Sequence, residues 1–177
     1  MKYKVIGIAG PARIGKDTAA HFIKSKMPIY NIASFADPIK EMLRVGLGIP
    51  SAQLYGDHKE DIDPRYGVST RYLMQTLGTE WGRKIIGEDI WVNAMISHIN
   101  QSDDGHFIIP DVRFESEAVM IRDEGILIHI QGTHGLDSDH VSENGVNLFR
   151  DDIVVDNSGT IDDYYLKLDK MLRKRLK

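Results

Sequence analysis

The amino-acid sequence predicts an α/β fold in which helices cover a mostly parallel, five-stranded sheet. Short runs rich in Ile, Val and aromatic residues alternate along the chain with stretches of helical periodicity. The strand runs are continuously apolar, which is typical of strands buried on both faces. Alternating strands and helices favour right-handed crossovers, so we expect ligands beyond the carboxyl ends of the strands.

The first half of the chain contains two predicted strands, 5–9 and 30–35, each an apolar run. A helical pattern separates them, and the second helix is predicted to start with Asp37 as N-cap and Pro38 at its first position. A polar segment, 56–69, has the Gly, Asp and His content of a loop or mobile cover. The next predicted helix spans 70–77.

The second half contains three further predicted strands. Thr160, with Asp163 three residues later, indicates the start of the last helix. A second polar segment, 133–147, is again predicted to be a loop or mobile cover. The strands are predicted at 107–111, 126–131 and 153–156, the helices before the last at 89–99 and 116–123, and the buried stripe of the last helix at Ile161, Tyr165, Leu168 and Leu172.

Composition restricts the class of protein. The length of 177 residues fits one domain, and the absence of cysteine excludes disulfides and thiolate zinc sites. A net charge of -4 disfavours binding to a nucleic acid polymer, which relies on clustered Lys and Arg. No apolar run approaches 18 residues and no signal-like leader is present, so neither a membrane association nor secretion is expected. The cytoplasm is the predicted compartment.

A glycine, four residues and then Gly-Lys lie between the first predicted strand and the first predicted helix. In that setting, glycines let successive backbone N–H groups point into one concavity that accepts phosphates, and the helix adds its positive end. Lys16 can reach the outer phosphates, and Thr18 offers a hydroxyl to the inner ones. The alternative is a strand-to-helix turn that binds nothing. The predicted P-loop residues are Gly10, Pro11, Ala12, Arg13, Ile14, Gly15, Lys16, Asp17 and Thr18.

One position of this P-loop is irregular. Asp17 follows the lysine, where a Ser or Thr usually binds the magnesium that accompanies the phosphates. A carboxylate can also hold Mg²⁺ through oxygen, directly or through water, and suits the first turn of a helix. Asp17 is therefore a candidate metal ligand.

Phosphoryl transfer needs positive charge around the transferred group. Lys16 and Arg13 lie in the P-loop, Arg71 lies near the start of a predicted helix, and Arg113 follows the third predicted strand. Asp111, at the end of that strand, is suitably placed to hold Mg²⁺ or its water. For each arginine, a surface or capping role is the alternative.

Other candidates carry less specific signals. Lys40 lies in a first helical turn, where the dipole disfavours cations unless an anion is near, and Gln75 could read a base edge or face solvent. Trp81 and Trp91 are predicted to be core or pocket wall rather than a stacking platform. The seven histidines include no pair at zinc-motif spacing, so a dedicated metal site is not favoured.

Six segments in this order resemble the deoxynucleoside monophosphate kinases of bacteriophages and prophages. The resemblance covers nearly the whole chain, and Gly-Lys-Asp-Thr is that family's usual loop ending. The segments are Gly10 to Thr18, Ser34 to Lys40, Arg71 to Arg83, Ile109 to Phe114 with Glu117, His140 to Glu143, and Asp156 to Thr160.

This resemblance implies transfer of the γ-phosphoryl group of ATP to a deoxynucleoside 5′-monophosphate, with Mg²⁺ as cofactor, on a three-layer P-loop NTPase-type fold. It implies one domain, 1–177, in which 56–69 is an acceptor-side segment and 133–147 a lid-like loop. By the same resemblance, Lys16, Arg13, Arg113 and Asp111 are catalytic, Asp17 and Asp111 bind metal, and Asn157 and Gly159 lie by the adenine. The implied acceptor-side residues are Asp37, Lys40, Arg71 and Gln75, with His140 and Glu143 closing over the transferred group.

The region 47–71 is compact for this group, so the base preference stays open, as does the choice between monomer and homodimer. Two alternative functions remain. One is another small-molecule kinase of the same fold, acting on phosphomevalonate or dephospho-coenzyme A, because fold alone does not determine substrate. The other is a non-catalytic nucleotide-binding regulator, which the several arginines argue against.

Overall fold

The structure, a computed structural model, describes residues 4–102, 105–133 and 145–175. The strands are β1 (Val5–Ala9), β2 (Asn31–Ile32), β3 (Ile62–Asp63), β4 (Val68–Ser69), β5 (Phe107–Val112), β6 (Gly125–Gln131) and β7 (Ile153–Asp156). The α-helices are α1 (Lys16–Lys26), α2 (Asp37–Leu47), α3 (Ser51–Leu54), α4 (Thr70–Gln75), α5 (Ile90–Gln101), α6 (Glu115–Glu124) and α7 (Ile161–Arg175). A 3₁₀ turn (Asp57–Glu60) and a π-helix (Thr76–Ile86) complete the described elements.

The chain divides into two compact units. The sheet unit comprises Met1–Ser34 and Ile96–Lys177, and the helical unit comprises Phe35–Met95. The chain leaves the sheet unit after Ser34 and returns within α5. That the chain acts as one domain stays a prediction.

The sheet unit is built on five parallel strands in the order β2-β5-β1-β6-β7. Along β1, Ile6 and Ile8 belong to the core that includes residues of α1 and α7. Gly7 points to the other face, where an added Cβ would meet Ile121 of α6 at 2.5 Å. Because successive strand residues face opposite sides, helices cover both faces of the sheet, as the sequence predicts.

The edge strands differ from the prediction of continuous burial. In β7, Ile153 and Val155 are buried, whereas Val154 and Asp156 are exposed. The run predicted as a strand at 30–35 pairs only at Asn31 and Ile32, both exposed. Continuous apolar burial therefore holds for β1 and almost all of β5 and β6, which have neighbours on both sides.

In the helical unit, α2 begins at Asp37, and Ala36 is the N-cap, so the N-cap prediction is one residue late. The predicted loop 56–69 is more ordered than expected, because it contains a 3₁₀ turn and the β3–β4 hairpin. Arg65, beside buried Asp63, donates to the carbonyl oxygens of Leu47 and Gly48. Its cation therefore lies at the C-terminal end of α2, where the helix dipole favours it.

The helix predicted at 70–77 continues to Ile86, because α4 passes directly into the π-helix. Trp91, which is buried, donates through Nε1 to the carbonyl oxygen of Gly78 at 2.8 Å. A Cβ on Gly82 would meet the Trp91 ring at 2.6 Å, so glycine permits this close packing. The structural role predicted for Trp91 is confirmed.

The last helix begins as predicted but buries a different stripe. The Thr160 backbone N–H donates to Asp163 Oδ2 at 3.1 Å, and the Asp163 N–H donates to Thr160 Oγ1 at 3.2 Å, a capping box. Ile161 and Tyr165 are both exposed, and the Tyr165 ring stacks on that of Phe22. The residues buried along α7 are Tyr164, Leu168, Met171 and Leu172. Among the described residues, no helix combines the length and apolar character needed to cross a membrane.

Candidate functional site

The turn from β1 into α1 has a backbone that ordinary side chains disfavour. Gly10, Arg13 and Gly15 have φ values of 144°, 60° and 98°, and Arg13 is the one non-glycine residue with positive φ in the described ranges. A Cβ on Gly10 would lie 2.5 Å from the carbonyl oxygen of Ile130 in β6. The two glycines therefore permit this turn and its close approach to the neighbouring strand.

The N-terminus of α1 lacks a side-chain cap. Gly15 is the N-cap residue and accepts the first helical bond from the Ala19 N–H at 3.0 Å, but glycine has no side-chain oxygen. The first-turn N–H groups therefore point out of α1 as donors for an anion. Asp17 is exposed in this turn, and Thr18 is half-buried.

Lys16 lies inside the turn, with 8% of its surface exposed. Its Nζ donates to the carbonyl oxygens of Gly10 at 2.7 Å and Pro11 at 2.6 Å. Burial lowers the pKa of Lys16 to about 8, the cation of Arg113 acts in the same direction, and Asp17 and Asp111 oppose it. An ammonium group held in this way is ready to exchange carbonyl partners for phosphate oxygens.

The turn that follows β7 supports this loop. Asn157 Nδ2 donates to the carbonyl oxygen of Ile14 at 2.9 Å, and its backbone N–H donates to Gln131 in β6 at 2.7 Å. Tyr164 donates through its hydroxyl to the carbonyl oxygen of Gly15 at 3.1 Å. Because the Ile14 side chain is buried, only its backbone is available to a ligand. The loop is therefore held both by Lys16 from within and by Asn157 and Tyr164 from neighbouring segments.

The family resemblance predicts that Asn157 and Gly159 lie beside an adenine. The structure gives Asn157 a loop-supporting bond, and Gly159 packs closely on the cap of α7, where an added Cβ would lie 3.0 Å from Asp163 Oδ2. Adenine contact by either residue stays a prediction.

A second group of charged residues lies at the end of β5. Ser34 donates through Oγ to Asp111 Oδ2. The N–H groups of Arg113 and Phe114 donate to Glu117 Oε2 at 2.8 and 3.1 Å, and Glu117 is only 1% exposed. This buried carboxylate fixes the turn that carries Arg113 into α6, so the position of the Arg113 backbone is well determined.

Lys16, Arg113, Asp17 and Asp111 form a mixed-charge cluster, because the other three all act on the pKa of Lys16. Arg13 is exposed on the loop. Within the described residues there is no group of three or more His, Cys, Asp or Glu that could hold a metal. Mg²⁺ is usually held by one or two carboxylates together with waters and phosphate oxygens, so the chemistry of Asp17 and Asp111 suits this ion.

The predicted acceptor-side residues belong to the helical unit. Lys40 pairs with Asp37 at 3.0 Å in the first turn of α2, and its Nζ lies 4.6 Å from the centre of the Tyr55 ring. This accounts for a lysine in a position that the helix dipole disfavours. Arg71 pairs with Glu60 of the 3₁₀ turn. Gln75 is half-buried at the last position of α4, where the π-helix begins.

Two predicted residues, His140 and Glu143, lie outside the described residues, as does most of the predicted lid-like segment 133–147. The structure also reveals supporting residues to which the sequence assigned no role. Both Ser34 and Glu117 stand in segments that carry the family resemblance. Proximity in the sequence is a signal for Glu117, four positions after Arg113, but not for Ser34, which is 77 positions from Asp111. Nothing in the sequence links Tyr164 to Gly15, because 149 positions separate them.

Sequence comparison gives consistent similarities. A family model described as "Deoxynucleotide monophosphate kinase" matches residues 58–168, a range that excludes the P-loop. A relative in Acanthamoeba polyphaga mimivirus, named for deoxynucleotide monophosphate kinase, is 30% identical over 93% of both chains. The "Deoxynucleoside-5'-monophosphate kinase" of Escherichia phage T5 is 31% identical over 53% of this chain. That match spans 41% of the phage protein, so the chain matches less than half of this longer relative.

Solved structures show the same architecture. A dephospho-CoA kinase from Campylobacter jejuni superimposes with a TM-score of 0.50 over 97% of this chain and 96% of that one, at 14% identity. TT1252 from Thermus thermophilus superimposes with a TM-score of 0.52 over 97% of each chain, also at 14% identity. At such identities the likeness shows the fold alone.

Proposed function

The chain belongs to the deoxynucleotide monophosphate kinase family, and from that premise we propose that it transfers the γ-phosphoryl group of ATP to a deoxynucleoside 5′-monophosphate. The diphosphate formed is a precursor for DNA synthesis. The observation that carries this proposal is the turn from β1 into α1. There the buried Lys16 lies at a helix start that has no side-chain cap. The family model matches only from residue 58 onward, so the P-loop supports the proposal independently of that match.

ATP binds through its phosphate chain in this proposal. The backbone N–H groups of the loop and of the first turn of α1 donate hydrogen bonds to the phosphate oxygens. Lys16 exchanges the carbonyls of Gly10 and Pro11 for the outer phosphate oxygens, and Thr18 supplies a hydroxyl. The exposed Arg13 is placed to reach the transferred group from the loop.

Asp17 and Asp111 are the residues that would hold Mg²⁺, because both are carboxylates in the cluster around Lys16. When bound, the ion neutralises charge on the phosphate oxygens. The chain's own contribution to transfer comes from Lys16 and Arg113, whose cations stabilise the charge on the transferred group. Their positions are restrained by the loop carbonyls and by Glu117.

The acceptor monophosphate is assigned to the helical unit. Lys40 and Arg71 supply cations for its phosphate, and Asp37 and Gln75 supply polar groups for the nucleoside. Lys40 is paired with Asp37, and Arg71 is paired with Glu60. The phosphate of the acceptor therefore replaces Asp37 or Glu60 as the partner of the cation that it binds. His140 and Glu143 are proposed to act on the transferred group from the segment 133–147.

The partners in this proposal are ATP and a monophosphate, without a nucleic acid polymer or a membrane. The net charge of -4 supports the exclusion of a polymer, since phosphate-backbone binding needs excess cations. A kinase that supplies DNA precursors is expected to act in the cytoplasm, which for a phage-encoded enzyme is that of the host cell.

A coupled assay for ADP tests the proposal. Purified protein is incubated with ATP, Mg²⁺ and, separately, each of the four deoxynucleoside monophosphates, dephospho-coenzyme A or phosphomevalonate. We expect ADP release that depends on at least one deoxynucleoside monophosphate. Stimulation only by dephospho-coenzyme A or phosphomevalonate would contradict the proposed acceptor class, and ATP binding without any acceptor-dependent ADP release would favour a regulator.

A further inference from the structure

Ser34 occupies a defined place beside the end of β5. The Asn31 N–H donates to the carbonyl oxygen of His106 at 2.8 Å, and the Ala33 N–H donates to that of Ile108 at 3.0 Å. These bonds continue the parallel ladder between β2 and β5 up to the residue before Ser34. The backbone therefore carries the Ser34 side chain to the level of the β5 residues that follow Ile108.

The contact that results joins two residues 77 positions apart. Ser34 donates through Oγ to Asp111 Oδ2, and both residues are half-buried. A hydroxyl that donates to a carboxylate forms a charge-assisted bond, which is shorter and stronger than a neutral one. Because the bond uses one named oxygen of Asp111, it selects the orientation of that carboxylate.

The orientation matters because Asp111 lies beside the loop: the next residue of β5, Val112, pairs with Ala9, the last residue of β1 before Gly10. The Asp111 carboxylate raises the pKa of Lys16 and the Arg113 cation lowers it, so all three charges are close enough to interact. Groups that position phosphates and their metal act well only when their geometry is held closely by neighbouring side chains. Among the described contacts of Asp111, the Ser34 hydroxyl is one that can do this.

We propose that Ser34 is a positioning residue that fixes the Asp111 carboxylate at the phosphate loop for phosphoryl transfer. The inference rests on the proposed function, since it assigns a role within the same site. Ser34 touches neither nucleotide in this account and acts only through Asp111. It is also the last residue of the sheet unit before the chain enters the helical unit.

The first test compares Ser34→Ala with Ser34→Thr. Loss of the hydroxyl is expected to lower kcat by about 10- to 100-fold, the usual effect of removing a group that orients a metal-binding side chain, with little change in the KM for ATP. Ser34→Thr keeps a hydroxyl and should restore most of the loss. Ser25→Ala is the matched control, because Ser25 Oγ donates to the carbonyl oxygen of Phe22 on the exposed side of α1 and should leave kcat unchanged.

A second readout does not depend on turnover. Mn²⁺ is titrated into protein saturated with a non-hydrolysable ATP analogue, and free Mn²⁺ is measured by electron paramagnetic resonance. We expect Ser34→Ala to weaken Mn²⁺ binding by about 10- to 100-fold, and Ser34→Thr and Ser25→Ala to bind like the wild type. If the wild type transferred no phosphoryl group to any acceptor, the proposed function would fail, while this titration would still report on Ser34.

A double-mutant cycle decides whether Ser34 acts through Asp111. In the Asp111→Asn background, Ser34→Ala should have little further effect on kcat or Mn²⁺ affinity, because the group that it positions is already altered. Additive losses would overturn the proposal. So would a folded Ser34→Ala protein with wild-type kcat and Mn²⁺ affinity.

Discussion

The turn from β1 into α1, in the sheet unit, and the paired cations Lys40 and Arg71, in the helical unit, hold their positive charge in different ways. Lys16 is 8% exposed and donates to two backbone carbonyls, within a loop that Asn157 and Tyr164 support. The Arg71 side chain is 42% exposed and pairs with Glu60, whose side chain is itself exposed. The loop charge is therefore placed by the fold, whereas the Arg71 charge is placed by a partner that can leave.

This difference bears on energetics. An exposed ion pair contributes about 0–1 kcal/mol to stability, so separating Arg71 from Glu60 opposes ligand binding only weakly. A buried cation is disfavoured unless its donors are satisfied, so Lys16 requires the carbonyls of Gly10 and Pro11 or, in the proposed complex, phosphate oxygens in their place. We therefore expect the ATP site to be formed before ATP binds. On the acceptor side, we expect the cations to exchange their carboxylate partners for the phosphate of the acceptor when it binds.

The largest expected effect is that of Lys16→Ala. Loss of the cation on the transferred group should lower kcat by about 10²- to 10³-fold. The melting temperature should stay the same or rise, because the substitution removes a charge whose burial is unfavourable. Steady-state kinetics and thermal unfolding measure both quantities. Lys24→Ala is the control, since Lys24 donates to Pro28 and Asn31 at an exposed site. Equal losses of kcat in the two variants would contradict the role proposed for Lys16.

Gly10→Ala tests whether the turn from β1 into α1 is rigid. The added Cβ would lie 2.5 Å from a backbone oxygen and the residue has a φ of 144°, so we expect a loss of about 1–3 kcal/mol in unfolding free energy together with weaker ATP binding. Chemical denaturation and calorimetry measure these. Gly46→Ala is the opposite-sign control, because Gly46 lies in α2 with nothing near its Cβ position and should gain about 0.5–1 kcal/mol. A Gly10→Ala protein of wild-type stability would show that the loop relaxes.

Arg71→Ala probes the acceptor side. A charge-assisted hydrogen bond contributes about 1.5–3 kcal/mol, so the KM for the acceptor should rise by roughly 10- to 100-fold, with a much smaller change for ATP. Glu60→Gln, which releases Arg71 from its partner, should leave stability within about 1 kcal/mol and should not raise the acceptor KM. Initial rates with each substrate varied in turn provide the measurement. Equal increases in both KM values for Arg71→Ala would end its assignment to the acceptor.

The smallest predicted effect is a pH dependence of ATP binding. Burial lowers the pKa of Lys16 to about 8 in the free protein, so the side chain is charged below pH 8 and progressively neutral above it. ATP affinity should be nearly constant from pH 6.5 to 7.5 and should then fall by at most about tenfold per pH unit, because the bound state favours the protonated form. Titration calorimetry across this range measures it. Lys16→Arg keeps its charge and should lose the decline; an identical profile in that variant would assign the titration elsewhere.

The sequence alone predicts the parts of this molecule that follow from local pattern. The central strands, the start of α7 and the loop before α1 are recognisable because buried strands are continuously apolar, Thr160 and Asp163 form a capping box, and glycine spacing marks a phosphate loop. These features depend on residues close together in the chain.

The remaining features depend on long-range contacts. The predicted strand at 30–35 shortens to two residues at an edge, and the helix predicted to end at 77 continues as a π-helix to Ile86. Tyr164, rather than Tyr165, is buried on α7, where it belongs to the hydrophobic core and its hydroxyl donates to the Gly15 carbonyl oxygen. The site residues that the sequence proposed stay predictions for nucleotide contact, although the structure brings Lys16, Asp17, Asp111 and Arg113 into one electrostatic neighbourhood.

Titration of ATP with Mg²⁺ into the free protein by calorimetry tests the central claim most directly, because a donor site built by the fold needs no acceptor to form. We predict binding of one ATP per chain in the absence of any monophosphate, and its marked weakening in Lys16→Ala. Folded protein that bound ATP only after a deoxynucleoside monophosphate was added, or not at all, would contradict the account.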